Sequence, residues 1–171
     1  SAHHPLLHTL VMGKIIAFGY HFGGDVSLND GIALHSIFQM TFCAVVFGYC
    51  IAYIFKITNR RLLTALAFCY YGFFPPIAMF AMSTTKDVIF SALLQLFIIF
   101  LYEMFRDLPT TLSSRPKILR LIVTAVLMCL FRKNGIYIII GLLPFTLYFA
   151  KNYWKKILLI LCCTTFSYFI L

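Results

Sequence analysis

From Ile32 to Phe55 the chain runs 24 residues without an acid, a lysine or an arginine. A bilayer's hydrocarbon core needs about 20 apolar residues of helix to cross it, so this run is long enough to span a membrane. In lipid the backbone has no water to bond to, which leaves a helix as the structure that satisfies its N–H and C=O groups within one segment. Other apolar runs follow: Leu62–Met82, broken by Pro75-Pro76; Lys86–Met104; Pro116–Phe131; Ile136–Ala150; and Ile157–Leu171, which begins a sixth span. Only 11% of the 171 residues are charged and 62% are hydrophobic, whereas a soluble domain carries roughly 25% charged residues. The expected fold is all-α, a polytopic transmembrane helix bundle of about five to six spans, and its first partner is the lipid bilayer.

Residues 1–31 read differently. The apolar stretch Leu6–Phe22 carries His8, Lys14 and His21, and turn-rich Gly23–Gly31 follows it. That mixture suits a helix lying in the membrane interface better than one crossing it. Residues 1–171 therefore form a single transmembrane domain, with an outer interfacial helix and loop over 1–31 and spans over 32–171. Beginning at Ser1 and ending at Leu171 inside an apolar run, the sequence reads as a piece of a longer protein.

The formal charge of +9 does not point to nucleic acid. The cations sit in short clusters between apolar runs, without a basic stripe interleaved with stacking aromatics. Alternate loops divide them unequally. One set, Lys56, Arg60, Arg61, Arg106, Arg115, Lys117, Arg120, Lys151, Lys155 and Lys156, outnumbers the other, Lys14, Lys86, Arg132 and Lys133. The richer set marks the cytoplasmic side of a multi-pass protein in the cell membrane. The six cysteines all lie inside apolar runs without a C-x-x-C pair, so they read as small buried hydrophobes.

The four outer cations are the informative ones, because topology does not require them. In Ser83-Thr84-Thr85-Lys86-Asp87, Thr84 and Asp87 have the spacing of a capping box that would start a helix. A helix N-terminus attracts anions, and Lys86 adds a full charge; an ordinary cap with a snorkelling lysine explains the same residues. In Phe131-Arg132-Lys133-Asn134-Gly135, Asn-Gly supplies a turn. The apolar runs on either side, Leu121–Phe131 and Ile136–Ala150, are 11 and 15 residues long. They reach about 17 and 23 Å, against about 30 Å of hydrocarbon. Either Arg120 snorkels at the inner end, or the outer turn is recessed and Arg132 and Lys133 line a pocket at membrane depth, where cations are candidates for function.

His4 and His8 would share a helix face after Pro5. Two histidines at that spacing can hold a metal only with further ligands. No other ligand is evident, so no cofactor is expected, although a divalent metal stays open. His35 and Gln39 make a polar stripe near the outer end of the first span, which hydrogen bonding between helices explains. The acids Asp25, Asp30, Asp87, Glu103 and Asp107 form no paired carboxylates.

His4-Pro5, Thr85-Lys86-Asp87 and Arg132-Lys133-Asn134-Gly135 together resemble motifs of the GT-C superfamily of membrane glycosyltransferases. The similarity is greatest to an uncharacterised bacterial branch near the protein mannosyltransferase and aminoarabinose transferase families. The resemblance implies transfer of a sugar from a polyprenyl-phosphate donor on the extracytoplasmic face. It implies that His3 and His4 border the active site. Lys86, Arg132 and Lys133, with Asn134 in the same motif, would bind donor phosphate, and Asp87 would orient Lys86. The family's acidic residue would precede His3, which leaves the catalytic base unassigned. A transporter or flippase for an anionic lipid-linked substrate, or a non-enzymatic assembly subunit of the membrane, would account for the same cations.

Overall fold

The computed structural model describes residues 6–22, 28–149, 151–154, 157, 158, 162 and 165. Among them all regular structure is helical: α1 (Leu6–Phe22), α2 (Leu28–Thr58), α3 (Arg61–Phe73), α4 (Pro75–Met82), α5 (Lys86–Arg106), α6 (Leu108–Ser113), α7 (Arg115–Phe131) and α8 (Gly135–Phe149), then a short 3-10 turn at Lys151–Tyr153. Asp30–Thr58 and Lys86–Arg106 are each long and apolar enough to cross a membrane, and α3 with α4 makes a third such segment if the pair counts as one. This fits a membrane protein. The helices α7 and α8 have 17 and 15 residues, or about 26 and 23 Å, so they fall short of a full crossing by length. The contacts divide the chain into two compact units, Ser1–Ala92 and Leu93–Leu171, with the boundary inside α5.

In the first unit, α2 is the element on which α1, α3 and α4 pack. Helix α1 approaches it closely at a pair of glycines. A Cβ on Gly31 would stand 2.9 Å from Ile16 Cγ2 and 3.1 Å from Ile16 Cα, and one on Gly19 would stand 3.2 Å from Gly31 Cα. Small residues let two helix backbones come together where lipid supplies no hydrophobic drive.

At its other end α2 stops at Asn59, whose φ of 49° is left-handed. Asparagine tolerates that conformation better than most residues. Its N–H donates to Phe55 O at 2.8 Å, closing the last turn. The chain then reverses into α3, where Phe47 of α2 stacks on Tyr71 at 4.8 Å.

The break expected at Pro75-Pro76 is present, and α3 and α4 meet there at 49°. Phe74 is extended because the ring of a following proline disfavours helical backbone. Pro75 then occupies the first helical position of α4, where a missing N–H costs nothing. Neither α3 nor α4 buries a residue, and Leu62, Phe73 and Met79 are each more than 70% exposed. So much contiguous apolar surface is unusual on a protein in water, whereas lipid would cover it without cost.

The second unit holds the rest of α5 with α6, α7 and α8. Arg120 of α7 is ion-paired to Glu103 of α5, and its guanidinium lies 4.6 Å from the centre of the Phe100 ring. Asp107 caps α6 by accepting from Thr110 N–H. Hydrogen bonding by Thr110, through its hydroxyl and its backbone N–H, holds the Asp107 carboxyl below its usual value.

The cysteines divide in a way that their surroundings in sequence do not foretell. Cys43, Cys50 and Cys129 are buried, but Cys69 and Cys162 are exposed. An apolar run does not distinguish a face turned to protein from one turned to lipid. Cys163 lies outside the described residues.

The close approach at Gly31 predicts that Gly31→Val forces α1 away from α2, since its side chain would overlap the backbone of Ile16. Overpacking of this kind costs about 1–3 kcal/mol. The expected result is a lower melting temperature in detergent and faster proteolysis within α1; an unchanged melting curve and digestion pattern would mean that the glycine pair does not hold the two helices together.

Candidate functional site

The polar residues of the first unit converge where α4 gives way to α5. Gln39 is fully buried, and its Nε2 donates to Ser83 O at 3.1 Å and to Thr85 O at 3.0 Å. Those carbonyls belong to the short break between α4 and α5, where Ser83 O also accepts from Thr85 N–H and Thr85 O from Val88 N–H. One carboxamide thus gives each of two backbone carbonyls a second donor and ties α2 to the loop that precedes Lys86. Within the loop, Thr85 N donates to Ser83 O at 2.8 Å and the two hydroxyls lie 3.3 Å apart.

This loop differs from the expected capping box. Helix α5 begins at Lys86, so Thr85 takes the flanking position and accepts from Val88 N–H through its carbonyl at 3.3 Å. Thr84 is exposed and lies one residue too early. The Gln39 bonds decide the register here, and a local S/T-x-x-D pattern does not contain them. Lys86 is half-buried as the first helical residue, and Asp87 is half-buried in the first turn, where a carboxylate complements the helix dipole.

One helical turn before Gln39 on α2, His35 is also fully buried. Its ring stands edge-on to that of His8 from α1, with centroids 5.8 Å apart. Neither ring nitrogen of His35 has a hydrogen-bond partner among the described residues. Gln39 and His35 were readable as a polar stripe, and bonding across helices is what Gln39 does, although to backbone. The pairing of His35 with His8 needed α1 to be placed. His3 and His4 lie outside the described residues. Among the described residues no group of three or more histidines, cysteines and acids could hold a metal ion.

In the second unit the expected turn between α7 and α8 is present. Arg132 leaves α7 with extended backbone (φ −148°, ψ 124°), its N–H donates to Met128 O at 3.1 Å, and Gly135 N–H donates to Arg132 O at 2.9 Å. Gly135 is buried, and a Cβ there would stand 3.1 Å from both Cys129 Cα and Met128 O. The glycine lets α8 start against the end of α7. Arg132 is half-buried, while Lys133 and Asn134 are exposed. Lys86 and Asp87 belong to one unit and Arg132, Lys133 and Asn134 to the other.

With this geometry in view, comparison with protein families gives one assignment. Residues 1–168 match a family of unknown function, DUF6020. The chain belongs to this family. Neither the curated proteins nor the solved structures contain a match to it.

The two hydrogen bonds from Gln39 predict that Gln39→Leu, close in size but without a donor, destabilises the first unit by about 1–3 kcal/mol. Gln39→Glu should cost more, because a carboxylate would face two carbonyl oxygens. Thermal unfolding of the three proteins in one detergent checks the order; equal stability of wild type and Gln39→Leu would show that the loop holds itself.

Proposed function

We propose that this chain is the membrane part of a glycosyltransferase-like protein that transfers a sugar from a polyprenyl-phosphate donor on the extracytoplasmic face. The observation that carries the reading is Arg132, half-buried at the turn between two helices too short for the hydrocarbon core. Of the two explanations for short helices, snorkelling by Arg120 is the weaker, because Arg120 is tied to Glu103. A recessed outer turn is then favoured, with Arg132 at the depth of a lipid phosphate. Lys86, half-buried at the start of α5, has the same character.

The chemistry suits those residues. As the sugar leaves its lipid carrier, negative charge grows on the phosphate, and fixed cations in a poorly solvated site stabilise it. Lys86, Arg132 and Lys133 would take that part, with Asn134 next to Lys133 in the same motif and Asp87 setting the direction of Lys86. His3 and His4 would border the active site. An acid outside these residues would take the acceptor's proton. The reading supposes five to six crossings, with the turns at Lys56–Arg61, Arg106–Arg120 and Lys151–Lys156 cytoplasmic and α1 at the outer interface.

One feature favours transport of an anionic lipid-linked substrate instead. The bend between α3 and α4 resembles the discontinuous helices that transporters use. A sugar-transfer assay separates the two.

The first test is binding of undecaprenyl phosphate to wild type and to Arg132→Ala/Lys133→Ala. Saturable binding weakened at least about tenfold in the double mutant is expected, as for loss of charged hydrogen bonds of about 1.5–3 kcal/mol. Equal binding by both proteins would remove the phosphate role of the turn.

A further inference from the structure

A groove of about 470 Å³ lies between the second half of α2 and the first half of α3, lined by Ile51, Phe55, Arg61, Thr64, Ala65, Phe68 and Cys69. Its polarity is graded. Arg61 and Thr64 stand at the end nearest the turn, and Ile51, Phe68 and Cys69 stand deeper along the two helices. The walls are almost wholly apolar, and α2 is long and apolar enough to cross a membrane. Such a groove at membrane depth is filled by hydrocarbon, since water finds few polar partners there.

The turn end carries Lys56, Arg60 and Arg61, all exposed. No acid occurs anywhere between Asp30 and Asp87, so these three cations have no counter-charge within that 56-residue stretch of sequence. Arg60 precedes α3 without a side-chain cap, which leaves the N–H groups of its first turn facing the same place as the cations. The occupant must therefore join an anionic head to an apolar tail.

We propose that this groove is a binding site for an anionic phospholipid, its phosphate on Arg61 and the start of α3, and one acyl chain between α2 and α3. The proposal does not depend on the sugar-transfer reading. Excess positive charge on a cytoplasmic turn would by itself attract anionic lipid to the surface. The groove adds a seated chain, and that difference can be measured.

The full chain carrying Trp154→Phe and Phe68→Trp has its one tryptophan in the groove. Reconstituted into vesicles, it reports local lipid through quenching by brominated phosphatidylglycerol or brominated phosphatidylcholine. The expected result is a preference of about fivefold for phosphatidylglycerol, the factor one basic residue contributes near a membrane surface. Arg61→Gln should bring the ratio close to one, and Arg61→Lys should keep it. Ala65→Phe, at an exposed groove position, keeps every cation but fills the cleft, and it too should abolish the preference. A preference that survives Ala65→Phe would overturn the proposal in favour of bulk surface charge. A reporter quenched by neither lipid would overturn it as well, since a protein helix would then occupy the groove.

Discussion

A chain with so little charge must meet its backbone hydrogen bonds internally wherever lipid replaces water. That requirement turns nearly all of the described residues into helix, and it concentrates polarity at the places where the ladder stops. Four of the stops among the described residues are the turn after Asn59, the proline break at Phe74, the loop Ser83–Thr85 and the turn Arg132–Asn134. Each is satisfied by a different device. Asn59 adopts left-handed backbone, Phe74 is extended ahead of Pro75, Gln39 donates to two loop carbonyls, and Gly135 allows α8 to begin against the end of α7.

These stops are also where function can reside. A helix interior in lipid offers side chains only, whereas a stop offers carbonyls, N–H groups and cations together. The loop held by Gln39 places Lys86 at the first position of α5, and the turn built on Gly135 places Arg132 at the end of α7. The turn after α2 collects Lys56, Arg60 and Arg61 above an apolar groove. Three breaks thus share one composition, basic side chains at helix ends.

Much of the fold is legible in the sequence. The apolar runs correspond to α2, α5, α7 and α8 within a few residues, and the prolines mark the bend between α3 and α4, because hydrophobic length and proline chemistry are local properties. The start of α5 is less legible. Thr84 and Asp87 have the spacing of a cap, yet Gln39, 44 residues before Ser83, sets the loop one residue later. The number of crossings is less legible too, since α7 and α8 are shorter than a bilayer core, and the partner of Arg120 is a residue on another helix.

The sequence by itself determined that the chain is helical, apolar and suited to a membrane, and that Lys86, Arg132 and Lys133 stand where helices begin or end. These follow from composition and from the order of residues along one helix. Only the tertiary structure decided which polar groups meet: Gln39 with the Ser83–Thr85 loop, His35 with His8, and Glu103 with Arg120. It likewise decided that Cys69 and Phe68 face a groove rather than a core. The physical reason is the same in each case. An apolar helix is alike on every side in sequence, and only its neighbours choose the side that is buried.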